Sequence, residues 1–236
     1  MNKHSRRGFT LMETLLAIAV VAVLLTSFLA VFGPATSGIR RAISVQDADR
    51  LASALEHELA TLREDEISEF ETSFEKAFDW ISSSTSLSDA IILFNYRGDP
   101  SQTLNGSLQP FTGSLGTPGQ DYLVQSAVRK LGDDSDLEEF LSAVEGRSFA
   151  VRMVQLVTSE DGSQEPSTGG GIVNLDGSSV SDADSYEEAA IAFQAEFYIL
   201  PANNFTYLNG PLARGGDDFS GTLGNPIFTR NMAVRR

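Results

Sequence analysis

Hydrophobic residues form one long uninterrupted run near the N-terminus of the chain. Residues 14–32 contain no charged side chain, and the residues before them include Lys3, Arg6 and Arg7 but no acid before Glu13. At about 1.5 Å per helical residue the run spans roughly 28 Å, which is close to the hydrocarbon thickness of a bilayer. The pattern predicts a membrane-spanning helix whose basic leader stays in the cytoplasm while the acidic remainder is exported.

After Gly33 and Pro34 the apolar residues are spaced as in an amphipathic helix. Apolar residues then recur at three- and four-residue steps. They are Ile39, Ile43, Ala48, Leu51, Leu55, Leu59 and Leu62. We expect an amphipathic stem helix that buries this stripe against a sheet, with a kink or local opening at Pro34, which lacks a backbone donor. The acids at 64–66 favour a helix end near there, and a second stripe from Ile67 to Ile81 predicts another helix.

The remaining pattern is mainly that of half-buried β-strands. Compact or alternating apolar segments predict four strands, the last of them at a sheet edge. They cover residues 90–96, 149–157, 191–199 and 227–234. Residues 122–145 instead suit one or two short helices, with residues 136–141 as the better candidate.

Three long loops separate these predicted elements. They are rich in Gly, Ser, Pro, Asn and Asp, and each is longer than the loops usual in a compact domain. They cover residues 98–121, 158–185 and 201–226. The predicted fold class is therefore α+β, with a long N-terminal helix packed on a mainly antiparallel sheet.

Composition excludes several classes of function. Seventeen basic residues against 32 acidic residues give a net charge of -15, which repels a nucleic-acid backbone, so we expect no nucleic-acid partner. The chain has no cysteine, and thus no disulfide, thiolate metal site or cysteine nucleophile. Beyond the leader its single histidine is His57, on the stem helix. A histidine-clustered zinc site is excluded and a Ser-His-Asp triad is disfavoured, so we predict no enzymatic activity.

Three interpretations of the N-terminal run remain open. A secretory signal would be cut after the run, and residues 35–37 offer a small-residue site for such a cut. A plain signal anchor would remain uncut. The third interpretation follows from the sequence Gly8-Phe9-Thr10-Leu11-Met12-Glu13, which places a carboxylate just before the apolar run.

This hexapeptide closely resembles the processing site of type IV pilins and of the pseudopilins of type II secretion. The resemblance covers the N-terminal segment alone. It implies cleavage between Gly8 and Phe9 by a prepilin peptidase, and N-methylation of Phe9. It also implies that Glu13, the fifth residue of the mature chain, guides assembly by pairing with the amino terminus of a neighbouring subunit.

The same resemblance implies a set of partners and a location. The partners are other pilin or pseudopilin subunits, an inner-membrane assembly platform, and the lipid bilayer before assembly. The subunit would be a single-pass protein of the inner membrane with a periplasmic C-terminal domain, and later part of a periplasmic or surface filament. The mature chain is larger than a usual major subunit, which favours a minor pilin or pseudopilin. The alternative is a tip adhesin or ligand-binding module displayed on the same anchor.

The domain organisation that follows has four parts. Residues 1–8 form the removable leader and residues 9–33 the transmembrane or filament-core helix. Residues 34–66 form the amphipathic stem helix, and residues 67–236 the periplasmic globular domain.

A local role for Glu13 accompanies the assembly role. Thr10 and Glu13 fit the T-x-x-E pattern of a capping box, and a carboxylate in the first turn suits the helix dipole. Capping acts within one chain and pairing acts between chains, so both can hold together.

A calcium site is the remaining hypothesis about chemistry. Major pseudopilins hold calcium in an acidic C-terminal loop, and here Asp217 and Asp218 offer hard oxygen donors on a glycine-rich turn. Asp182 and Asp184 offer another pair in the preceding loop. Neither pair has a recognisable ligand spacing, and plain turn chemistry is the alternative. We therefore expect no cofactor, with calcium as the ion to test.

Overall fold

The computed structural model describes residues 10–113, 116–132, 136–159, 162–167 and 170–236. The chain divides into two compact units, one ending at Ile43 and one beginning at Ser44. Helix α1, Leu11–Ala60, contributes residues to both.

Helix α1 differs from the sequence prediction at two places. Its helical conformation continues through Pro34, so of the predicted kink or local opening the helix shows no opening there. The Thr36 and Ser37 hydroxyls donate to the carbonyls of Gly33 and Pro34 at 2.9 and 2.8 Å, which adds hydrogen bonds around the proline. The helix ends at Ala60, before the predicted stem end at residue 66, because the acidic residues at 64–66 are unfavourable at a helix C-terminus.

Helix α2, Ser73–Ser83, begins later than the predicted stripe because Thr72 caps its start. The Thr72 hydroxyl accepts from the Glu75 backbone N–H at 3.1 Å, and the Glu75 carboxylate accepts from the Glu71 N–H at 2.8 Å. Phe74, Phe78 and Ile81 are buried in the core, whereas Ile67, at the start of the predicted stripe, is 62% exposed.

The described residues form nine strands. They are β1 Ile91–Leu104, β2 Ser107–Pro110, β3 Leu123–Lys130, β4 Val144–Thr158, β5 Gln164–Pro166, β6 Ile172–Val173, β7 Ser179–Val180, β8 Ala190–Ile199 and β9 Phe228–Arg235. The main sheet has the order β2-β1-β4-β8-β9, with β3 also paired to β1 and β5 to β4, while β6 and β7 form a separate hairpin. Every paired strand in these sheets is antiparallel. The predicted α+β class, the four predicted strands and the edge position of β9 are confirmed.

The prediction of helices between residues 122 and 145 is half wrong. Residues 137–142 do form a helix, α3 Leu137–Ser142, but residues 123–130 form β3. That strand pairs along its whole length with β1, from Ile91↔Lys130 to Gly98↔Leu123. Its apolar residues do not alternate regularly, so the pairing with a distant strand decides its conformation.

The predicted loop after residue 98 is partly a hairpin. Strand β1 continues to Leu104 and turns into β2 at Asn105 and Gly106, whose φ angles are 49° and 78°. Two consecutive positive φ values are typical of a type I′ turn, for which Asn-Gly is the preferred sequence. This Asn-Gly signal stands in the sequence inside the segment 98–121, whose overall composition predicts a loop.

Both faces of the central strands are covered, whereas the sequence predicted half-buried strands. The stem part of α1, from Ser44 onwards, and α2 pack on one face, where Leu55 and Phe193 are fully buried. Helix α3 and residues 200–223 cover the other face. That second cover includes α4 Phe205–Tyr207, a π-helical turn Leu208–Leu212 and α5 Phe219–Leu223. The predicted loop at 201–226 is therefore part of the core.

Candidate functional site

The first candidate site is the apolar surface of α1 between residues 11 and 43. Its large apolar side chains are between 49% exposed, at Val20, and 81% exposed, at Leu11. Helix Leu11–Ala60 contains an 18-residue window with a mean hydropathy of 2.9, none of it buried. By length and composition it is the one helix in the described part of the chain that could cross a membrane. Each large apolar side chain gains about 1.5–3 kcal/mol on leaving water, so this surface favours lipid or other apolar helices.

The start of α1 is fixed by the predicted capping box. The Thr10 N–H donates to Glu13 Oε2 at 3.1 Å, and the Glu13 N–H donates to Thr10 Oγ1 at 3.2 Å. Glu13 itself is exposed. The local role predicted for Glu13 is thus observed, while the predicted cleavage residues Gly8 and Phe9 lie outside the described residues.

Within residues 10–43, Glu13 has no basic residue nearby along the helix. The first basic residue after it is Arg40, about 40 Å further along at the helical rise. A carboxylate placed deep in a bilayer costs about 2.5–3.5 kcal/mol or more. Inside this segment the capping bonds are what stabilises the carboxylate, so a cation that would offset its charge has to come from beyond residues 10–43.

A buried ionic cluster joins the end of the stem to α2, and sequence reasoning missed it. Lys76 is fully buried, and its Nζ donates to Glu58 Oε1 at 2.6 Å and to Glu66 Oε2 at 2.7 Å. The same ammonium group lies 4.7 Å from the ring centroid of Trp80. Arg63 pairs with the second oxygen of Glu58. Little in the sequence indicates this cluster, because Glu58 stands among the charged residues of the stem and Glu66 in an acidic stretch typical of solvent-exposed turns.

Two of the four aspartates considered for calcium, Asp182 and Asp218, act as turn and helix caps. Asp218 Oδ1 accepts from the Gly221 N–H at 2.7 Å and so caps α5, while Asp217 is exposed. Asp182 Oδ1 accepts from the N–H and the hydroxyl of Ser185 at 2.9 and 2.8 Å. These bonds lower the pKa of Asp182. In the described ranges no group of three or more His, Asp or Glu side chains is arranged to hold a metal ion. Calcium binding stays a prediction.

One segment of the chain, at its N-terminus, matches a known protein family. Residues 3–29 match the family model of the prokaryotic N-terminal methylation motif. A search of curated proteins and a search of solved structures found no match. The motif is that of structural filament subunits and not of an enzyme family, and it supports a type IV pilin-like or pseudopilin subunit that is processed at its N-terminus. The long apolar helix is compatible with a single-pass membrane anchor for such a subunit.

Proposed function

We propose that this protein is a minor pilin or pseudopilin, a structural subunit of a type IV pilus-like or type II secretion filament. The observation that carries the proposal is the overlap of the methylation motif at 3–29 with an exposed apolar helix that begins at Leu11. Cleavage between Gly8 and Phe9 removes the basic leader and retains the helix. The helix then serves first as an inner-membrane anchor and later as part of a filament core.

Glu13 selects the neighbour and the register during this assembly. The free amino terminus of an adjacent mature subunit supplies a cation, and residues 10–39 of the helical segment contain no basic side chain that could take its place. Pairing the two charges offsets the cost of holding a carboxylate in an apolar environment. The hydrogen bond that the Thr10 N–H donates to Glu13 Oε2 holds this carboxylate at the helix start without depending on a neighbour.

Mass spectrometry of the mature N-terminus tests the processing step. Co-expression with a prepilin peptidase is expected to yield a chain that starts at N-methylated Phe9, and Gly8→Val is expected to retain the leader. Gly33→Ala is the matched control, because an added Cβ there meets nothing within 4 Å and the residue lies beyond the matched motif. A mature chain starting near Ala35 would overturn the proposal.

Two substitutions separate pairing from capping at residue 13. Glu13→Gln removes the charge and keeps an oxygen acceptor for the cap, and it is expected to abolish incorporation into filaments. Thr10→Val removes the capping hydroxyl and keeps the charge, so its product is expected to assemble. Filament incorporation is measured by immunoblotting of sheared filaments against total cell protein. Equal incorporation of Glu13→Gln and wild type would refute the pairing role.

A further inference from the structure

The chain contains two Asn-Gly pairs, Asn105-Gly106 and Asn209-Gly210. In this dipeptide the backbone attacks an asparagine side chain most readily, because glycine has no Cβ to hinder the approach. Neither asparagine takes part in the functions considered above. The structure places the two pairs in different elements, so we expect them to differ in reactivity although their sequences are the same.

Asn105 lies at the tip of the hairpin between β1 and β2. Its φ angle is 49° and that of Gly106 is 78°. Residues 100–104 of β1 are all exposed, and a Cβ built on Gly106 meets nothing within 4 Å. Beyond the irregularity between Asp99 and Thr103, two residue pairs join the strands. A short two-stranded hairpin is only marginally stable, so this tip opens locally and lets the backbone at Asn105 rotate.

Asn209 is also exposed, so exposure alone does not separate the two pairs. It lies in the π-helical turn Leu208–Leu212, whose first and last side chains are fully buried against the second face of the sheet. Closing a ring between the Asn209 side chain and the Gly210 nitrogen requires rotation about the backbone of Asn209. The packed turn opposes this rotation, because opening it would take both leucines out of the core.

We propose that Asn105 is a site of spontaneous deamidation and isomerisation, and that its fold protects Asn209 from the same reaction. Hydroxide or a buffer base removes the backbone proton of Gly106, and the Gly106 nitrogen attacks the side-chain amide carbon of Asn105. The new C–N bond closes a succinimide ring, while the bond to the side-chain nitrogen breaks and this nitrogen takes a proton from water and leaves as ammonia. One water molecule then adds to either ring carbonyl and opens its C–N bond, which yields aspartate or isoaspartate.

The modification changes both the charge and the shape of the hairpin tip. Each event replaces a neutral amide by a carboxylate, in a chain whose net charge is already -15. Isoaspartate also adds a methylene group to the backbone, which does not fit a two-residue turn and disrupts the pairing Leu104↔Ser107. The tip of the β1–β2 hairpin therefore loses its strand pairing as the protein ages. The inference stands apart from the filament function, since it concerns a site in the globular unit alone.

Peptide mapping of the detergent-solubilised full-length protein, incubated in mildly alkaline buffer, tests the proposal. Trypsin places the two asparagines in different peptides, residues 98–129 and 153–214. Mass spectrometry follows a gain of about 1 Da per event, and fragmentation separates isoaspartate from aspartate. In the native protein Asn105 is expected to react about tenfold or more faster than Asn209. The same protein unfolded in guanidinium chloride is the control, in which the two rates are expected to agree within about threefold. Equal native rates, or no isoaspartate at residue 105, would overturn the proposal.

Two leucine substitutions test whether packing protects Asn209. Leu208→Ala removes a fully buried side chain of the π-helical turn and is expected to raise the reaction rate of Asn209 about tenfold or more. Leu55→Ala removes an equally buried leucine on the opposite face of the sheet and is expected to leave that rate within about twofold. Circular dichroism checks that both variants fold. If Leu208→Ala does not fold, the comparison of native and unfolded wild type decides. A folded Leu208→Ala variant with the wild-type rate at Asn209 contradicts the protection by packing.

Discussion

The substitution Lys76→Met is expected to destabilise the globular unit strongly. The Lys76 ammonium group is fully buried and donates to Glu58, to Glu66 and to the carbonyl of Thr61, at 2.6, 2.7 and 3.3 Å. Methionine keeps the unbranched apolar part of the side chain. It supplies neither a donor nor a charge, so both carboxylates lose their shared cation.

The size of the effect follows from the burial of the remaining acids. The side chains of Glu58 and Glu66 are 11% and 16% exposed. Removing one partner of a buried ion pair costs about 3–5 kcal/mol, because the other charge stays desolvated. Arg63 continues to pair with Glu58, and its backbone N–H donates to Glu66 at 2.9 Å, which lessens the loss. We therefore expect about 3 kcal/mol, a large share of the roughly 5–15 kcal/mol that stabilises a typical domain.

Urea unfolding of the full-length protein in detergent measures this loss. Trp80 is the single tryptophan of the chain and lies 6% exposed beside Lys76, so its fluorescence reports on this unit. Far-UV circular dichroism gives an independent measure. A lower midpoint at unchanged slope identifies a change in stability alone.

Two controls accompany this measurement: a substitution that breaks an exposed ion pair, and a triple variant in which the two glutamates are neutralised as well. Arg230→Met breaks pairs with Asp49 and Glu56 that are much more exposed, and it is expected to cost only about 0–1 kcal/mol. Adding Glu58→Gln and Glu66→Gln to Lys76→Met is expected to restore part of the stability, since neither buried carboxylate remains charged; the restoration is incomplete because Arg63 then loses its partner Glu58. A loss for Lys76→Met no larger than that for Arg230→Met would refute the reasoning.

Three further predictions concern the core, the alkaline limit and a helix cap. Leu55→Ala removes a fully buried stem side chain and is expected to cost about 2–5 kcal/mol in the same unfolding assay. Burial and the hydrogen bond to Glu196 raise the pKa of Tyr198 to about 12. The tyrosine loses its proton near pH 10 in the unfolded chain but only near pH 12 in the folded one. The free energy of unfolding therefore falls by about 1.4 kcal/mol per pH unit as the pH rises from about 10 towards 12. Tyr198→Phe is expected to flatten this decline. Asp218→Ala removes the cap of α5 and is expected to lower the free energy of unfolding by about 1 kcal/mol. Asp217→Ala, at the neighbouring exposed residue, is expected to change it by almost nothing. Equal losses for the two variants would contradict the capping role of Asp218.

The tertiary structure corrected the sequence prediction where distant segments meet. Residues 123–130 carry no clear period, and they form β3 because the edge of β1 offers a partner along their whole length. Residues 201–226 have the composition of a loop, yet Leu208, Leu212 and Phe219 are buried against the second face of the sheet. In each case a contact with residues far along the chain outweighs the local preference.

Sequence alone determined the N-terminal segment and the main strands of the sheet. Length and hydropathy decide whether a helix can span a bilayer, and both are local properties that can be read without a fold. The capping box at Thr10 and Glu13 and the strands at 149–157 and 191–199 follow from patterns of equally short range. Only the tertiary structure brought Lys76 to Glu58 and packed Leu208, beside Asn209, against the sheet. Those arrangements depend on how remote segments pack together, which no local pattern records.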